Sequence, residues 1–251
     1  MKALQRIRGI ILLLALTTGF VVFAQMPVQA ARIQKVHTIY WSAKLTDTVK
    51  VKIKGKKRKL QPGTDVVVIN RSYLQRGKSR VLYKGAKFKV KNTKLHFISD
   101  LCTAVTEGDY NLDTKLHFVN KAHRFKSKTP YLVWICLDKQ RVNVFKGSVG
   151  NWVLVKRMKC SSGLADSPTK VRWNGRIGFK ERVYSYSNPT FSATVQYFNE
   201  FGGSGIHKWS GPGKEQLIGK HTASHSCVRL GKTHAIWFYN TVPIGTRVVI
   251  Y

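Results

Sequence analysis

Between Asp47 and Asn92 the chain alternates apolar and polar residues with a period of two. Val49, Val51 and Ile53 interleave with Lys50, Lys52 and Lys54. In extended backbone successive side chains point to opposite faces, so this pattern makes one apolar face and one basic face. A helix would scatter the same residues around its circumference. The stretch 47–60 is therefore predicted as a strand, 61–63 (QPG) as a turn, and 64–70, 79–85 and 86–92 as further strands. Short strands separated by Gly, Pro and Asn turns suggest a small basic β-barrel or sandwich. The pattern resumes at Tyr131: "YLVWICLDKQRVNVFKG" reads as two strands around a turn at DKQ, "NWVLVKRMKCSSG" as a third ending at Gly163, and "IGTRVVIY" as a closing strand. Only 232–242 looks helical, with Ala235, Ile236, Tyr239 and Asn240 at helical offsets and Pro243 as the stop. The fold class is mostly β, with one short helix near the C-terminus. Residues 93–128 are polar and mixed and read as the connection into the second part. The predicted division is 31–115, a small β-domain; 116–129, a linker; and 130–251, the C-terminal domain.

The first 30 residues set the compartment. Lys2, Arg6 and Arg8 precede an uncharged apolar run at 9–24, and Val28 and Ala30 suit cleavage after Ala30. This is the form of a secretory signal. Left uncleaved, the run would tie the protein to a membrane. Either way the remainder works outside the cytoplasm. Lysine and arginine outnumber aspartate and glutamate 44 to 11, a net charge of +33, and the excess is spread along the whole chain. So basic a surface associates with polyanions. For an exported protein the predicted partner is an anionic cell-wall polymer and not nucleic acid.

Chemistry concentrates in 205–230. "TASHSCVRL" (222–230) holds Cys227 with His225 two positions before it, and His207 lies 20 positions upstream of Cys227. A cysteine attacks as the thiolate, so it needs an imidazole or positive potential nearby. In an extended segment His225 would share a face with Cys227, while an adjacent strand could bring His207 to the other side. The Gly- and Lys-rich segment between them reads as a long loop, a form that is often functional. Two other readings stay open on spacing alone. His207, His221, His225 and Cys227 could ligate a metal, although "HTASHS" is poor helix-forming sequence for a His-x-x-x-His pair. Cys227 could also be a small buried hydrophobe, as Cys136 in "YLVWICL" is read to be. One disulfide among Cys102, Cys136 and Cys160 is a further option.

The cluster resembles the signature of the L,D-transpeptidases, the YkuD-type catalytic domain. His207 is followed by 16 residues and then Ser224, His225, Ser226, Cys227, Val228 and Arg229. The likeness extends through the helix into "VPIGTRVVIY" and back to "LDKQRVNVFKG" and "CSSG", covering roughly 130–251. It departs at Ser226, where the family has Gly, and in the looser "SPTKVRWNG". If that Gly normally takes positive φ, Ser226 would be strained there. Upstream, "GTDVVVI" and "SRVLYKGAKFKVKN" resemble a bacterial SH3-like wall-binding module.

The resemblance implies a transpeptidase-type β-sandwich needing no metal or cofactor. Cys227 would be the nucleophile and His207 its base, oriented by a neighbouring backbone carbonyl; spacing alone does not choose between His207 and His225. The backbone N–H groups of His225, Ser226 and Cys227 would face the oxyanion, with Ser224 shaping the site. Arg229 would hold the loop or contact the donor peptide. Tyr197, in the aromatic stretch 183–203, is a candidate for the cleft wall, and the other aromatics there are read as core packing. The implied substrate is a peptidoglycan stem tetrapeptide, and the implied product a 3→3 crosslink. The alternatives are an L,D-carboxypeptidase or endopeptidase of peptidoglycan, and a non-catalytic wall-binding protein.

Overall fold

A computed structural model of the chain describes residues 32–72, 76–98, 106, 108–164, 167–188, 191–210, 215 and 218–251. The predicted signal and Cys102 lie outside the described residues.

The N-terminal part contains β1 (Trp41–Leu45), β2 (Val49–Ile53), β3 (Lys56–Leu60), β4 (Asp65–Asn70), β5 (Lys78–Tyr83), β6 (Ala86–Lys91) and β7 (Leu95–Ile98). Five of these make an antiparallel sheet in the order β6-β5-β4-β1-β7, and β2 and β3 form a separate ribbon. Period two decides what is buried. Trp41, Ala43 and Leu45 face in from β1, Val66 and Val68 from β4, and Val81 from β5. The stretch 47–60, predicted as one strand, is a hairpin. The alternation ends at Ile53, and the chain turns at Lys54 (φ 46°) and Gly55 (φ 81°). Two successive positive φ values are what a two-residue type I′ connection needs. Lys84 and Gly85 repeat the device between β5 and β6 with φ 44° and 78°.

The stretch read as a connection carries two elements of its own. One is β7, which pairs with β1. The other is helix α1 (Leu112–His117), continuing through a π-helical turn at Phe118–Ala122. Asn111 caps α1: its side chain accepts the Thr114 N–H at 2.8 Å. The helical segment places Phe118 and Val119 over the back of the C-terminal sheet, with Phe118 stacked on Trp134 at 4.2 Å.

The C-terminal part contains β8 (Tyr131–Cys136), β9 (Arg141–Lys146), β10 (Val153–Ser161), β11 (Asn174–Asn188), β12 (Phe191–Phe201), β13 (Ser204–Lys208), β14 (Val228–Leu230), α2 (Lys232–Thr241) and β15 (Arg247–Ile250). Its hydrogen bonds close into a ring, β10-β14-β13-β12-β11-β15-β8-β9. The ring is a sandwich of two layers joined at two corners. β10 pairs with β9 over 153–159 and with β14 at Cys160 and Ser161, and β11 leaves β15 after Arg176 to join β12. A register shift between Ile177 and Lys180 marks the second corner, as expected where a strand changes sheets. β8 is buried on both faces, which explains its continuous apolar run. Val133 and Ile135 enter the core between the layers, whereas Leu132, Trp134 and Cys136 lie under α1. Helix α2 buries Ala235 and Phe238.

Candidate active site

The site lies on the β13–β14 pair. These strands run parallel, with Ile206 opposite Val228 and His207 opposite Arg229. Parallel neighbours cannot be joined by a tight turn, so a long return over 209–227 is a topological requirement. Ile206 and Val228 point into the core. By alternation Gly205 and His207, with Cys227 and Arg229, occupy the opposite face. Cys227 enters just ahead of β14, beside Gly205.

His207 is buried, with 3% of its surface exposed. Its Nδ1–H donates to the Lys208 carbonyl at 2.6 Å. A carbonyl can only accept, so Nδ1 carries the proton and Nε2 keeps its lone pair. Burial pulls the imidazole down to about 4, with the Arg229 charge adding to the shift. Burial also raises the Cys227 thiol, against the opposing pull of a Gly205 backbone hydrogen bond and of Arg229. At neutral pH the pair rests as neutral thiol and neutral imidazole. Such a pair suits proton transfer during attack rather than a preformed ion pair.

Ser226 has φ 90°, a left-handed backbone that favours glycine. The strain anticipated for a serine at this position is therefore present, and two contacts hold it. The Ser226 carbonyl accepts the Thr169 hydroxyl at 2.7 Å, and the Ser226 hydroxyl meets that of Ser204 at 2.9 Å. The bend at 225–226 means the segment is not extended there. The same-face argument for His225 and Cys227 fails for that reason, and the His225 side chain is exposed.

Ser224 is buried and fastened on three sides. Its N–H donates to the Ser162 carbonyl at 3.1 Å, its carbonyl accepts Leu164 N–H at 2.7 Å, and its hydroxyl donates to the Cys227 carbonyl. Ser162 is fixed in turn by Gln140, whose Oε1 accepts the Ser162 N–H at 2.8 Å and whose Nε2 donates to Ser162 Oγ at 2.8 Å. The Gly163 N–H donates to Thr169 Oγ1 at 2.8 Å, and a Cβ on Gly163 would overlap the Ser167 carbonyl and the Thr169 nitrogen. Gln140, Ser162, Gly163 and Thr169 thus hold the cysteine loop from behind. Of these, only the quoted likeness around "DKQR" and "CSSG" gave any sequence signal.

Arg229 donates to the Ala223 carbonyl at 2.8 Å and lies over the Trp209 ring at 4.9 Å. It ties the loop down next to the thiol. Tyr197 is elsewhere: it packs against the interlayer core and meets Tyr239 of α2 edge-on at 5.8 Å. The ring on the His207 side is Phe198, 6.3 Å from the imidazole and stacked on Tyr184 at 4.2 Å. Gly205 leaves room for Phe198, since a Cβ there would run into its ring. Of the other aromatics in 183–203, Phe201 packs in the core, Phe198 is buried on the His207 side, and Tyr186 is exposed.

Cys136, Cys160 and Cys227 are free thiols, so Cys136 and Cys160 do not bridge. Burial raises both Cys136 and Cys160, the latter to about 12, which leaves them protonated and inert.

A partly accessible thiol and an anchored imidazole on one face of a β-sandwich are the groups that nucleophilic cysteine chemistry requires. Residues 130–250 match the model of the YkuD family, described as the L,D-transpeptidase catalytic domain. Among solved structures, the chain is similar to an L,D-transpeptidase from Mycobacterium smegmatis (16% identity, 82% of this chain and 78% of that one, TM-score 0.42). It is similar to one from Mycobacterium tuberculosis H37Rv to the same degree (16%, 83% and 79%, 0.42). A third is a fused Zn-dependent amidase/peptidase/peptidoglycan-binding domain-containing protein from Clostridium acetobutylicum ATCC 824 (25%, 59% and 66%, 0.40). No curated protein matches the chain.

Proposed function

We propose that the protein is an extracytoplasmic peptidoglycan L,D-transpeptidase that works through a Cys227 thioester. His207 Nε2 takes the thiol proton as Sγ attacks the carbonyl of the third residue of a stem tetrapeptide. The tetrahedral oxyanion is received by backbone N–H groups of the 225–227 bend, whose shape Ser226, Thr169 and Ser204 maintain. Collapse expels the terminal D-alanine, with the proton returned from His207. An amine on a neighbouring stem then attacks the thioester and gives a 3→3 crosslink. The observation that supports this reading is the His207 Nδ1 bond to the Lys208 carbonyl, which leaves the lone pair on Nε2. The carbonyl does the orienting work that an aspartate does in a serine triad.

The test is product analysis on a purified disaccharide-tetrapeptide. Accumulation of a crosslinked dimer with loss of one D-alanine, abolished in Cys227→Ala, is the expected result. A trimmed monomer without dimer would assign a carboxypeptidase. No turnover by folded wild type would leave the catalytic reading without support.

A further inference from the structure

The β2–β3 ribbon has two unlike faces. On one face Val49 pairs with Leu60, and these residues, with Val51 and Ile53, pack on the core of the N-terminal sheet, while Arg58 and Lys56, the partners of Val51 and Ile53, stay exposed. The other face is built from Lys50 opposite Lys59 and Lys52 opposite Lys57, all four exposed. Directly opposed side chains start about 5 Å apart, and successive pairs are separated by about 7 Å along the strands. Like charges in that register repel one another. No acidic residue occurs from Thr48 to Thr64. The two acids that flank the ribbon are already engaged, Asp47 with Lys94 at 2.6 Å and Asp65 with Lys44 at 2.8 Å. None of the four lysines has an ion-pair partner among the described residues. Solubility alone favours mixed, dispersed charge; here one sign is stacked in a narrow double row.

We propose that this face docks a linear phosphodiester polymer, whose successive phosphates settle between the lysine pairs. The ribbon is one pair wide, which fits a strand of charge better than a plane. Its basic face offers no apolar side chain to enter a bilayer, because the valines and isoleucine are turned inward. It offers no aromatic ring on which a base could stack. Lysine is a hydrated point charge that needs no bidentate geometry, so recognition follows charge spacing and not the chemistry of the repeat. This inference does not depend on the catalytic reading.

The test measures binding of the full chain to long-chain poly(glycerol phosphate) across a range of salt. The variant K50Q/K52Q/K57Q/K59Q is set beside K121Q/K126Q/K128Q/K232Q, which removes the same charge from other exposed sites. Counterion release gives a slope of about 0.7 per phosphate contact for a single strand, so the ribbon variant should lower the slope by about 3. It should weaken binding at least tenfold at moderate salt, and the control variant much less. K52Q/K57Q should show about half the loss of slope. The thermal midpoint of the ribbon variant should not fall, since repulsion has been removed; were it to fall, K52Q/K57Q would carry the comparison. Equal losses in both four-site variants would overturn the proposal in favour of diffuse attraction. A loss on phosphatidylglycerol vesicles with unchanged polymer binding would overturn it in favour of a membrane surface.

Discussion

Replacing Ser226 isolates the tension in the cysteine loop. The residue sits at φ 90°. A non-glycine residue in left-handed backbone costs about 1–3 kcal/mol, and a neutral side-chain hydrogen bond such as that to Ser204 contributes about 1 kcal/mol. Ser226→Ala loses the bond and keeps the backbone strain, so it should lower stability by about 1 kcal/mol. Ser226→Gly loses the same bond but relieves the strain, at an entropic cost of about 0.5–1 kcal/mol in the unfolded chain. The glycine variant should therefore exceed the alanine variant by about 1 kcal/mol. In a chain of this size that is about 2–4 °C in Tm. Urea denaturation of both variants, with unchanged m, reads the difference directly. Alanine proving as stable as glycine would refute the strained-backbone account. The lost bond should also matter kinetically if the bend that Ser204 helps hold receives the oxyanion as proposed, and both variants should then acylate more slowly than wild type.

Thr169→Val removes the hydroxyl that holds the Ser226 carbonyl at 2.7 Å, and should slow Cys227 acylation by tenfold or more with little change in substrate binding; stopped-flow acylation separates the two. Because His207 titrates near 4 and the Cys227 thiol lies above its usual range, acylation should be flat from about pH 5 to about pH 8, and a rise with a midpoint near 6.5 would contradict the buried neutral imidazole. The same depressed imidazole gives a stability contribution that is complete above pH 6.5 and lost as pH falls toward 4. Its size is about 3 kcal/mol, and His207→Gln should show a correspondingly shallower acid dependence in denaturant titrations. In native protein a small alkylating reagent should modify Cys227 and spare Cys136 and Cys160 until the chain unfolds, which peptide mapping would reveal.

The sequence carried the strands because period-two alternation is a local signal, and β4, β5, β6, β8 and β9 lie where it put them. The turn inside β2–β3 had a local signal that went unread, since the alternation stops at Ile53 and Gly55 follows two positions later. The sequence missed α1 because a six-residue helix is too short for periodicity, although Asn111 and Thr114 are a legible cap. Motif order singled out Cys227 and His207, and the parallel β13–β14 pairing sets their segments side by side. Which face each aromatic takes was not, because that depends on register: Phe198 aligns with the His207 side and Tyr197 with the core. The Gln140–Ser162–Ser224 and Thr169–Ser226 contacts join residues far apart in the chain, and no spacing rule encodes them.

The proposed chemistry requires Cys227 to be an activated, reachable nucleophile. Its most direct test is the intact mass of the protein after incubation with a carbapenem, a β-lactam class to which the family resemblance implies sensitivity, with Cys227→Ala in parallel. One stoichiometric adduct on wild type and none on the variant is the expected result. Correctly folded wild type that stays unmodified, or an adduct that persists in Cys227→Ala, would contradict it.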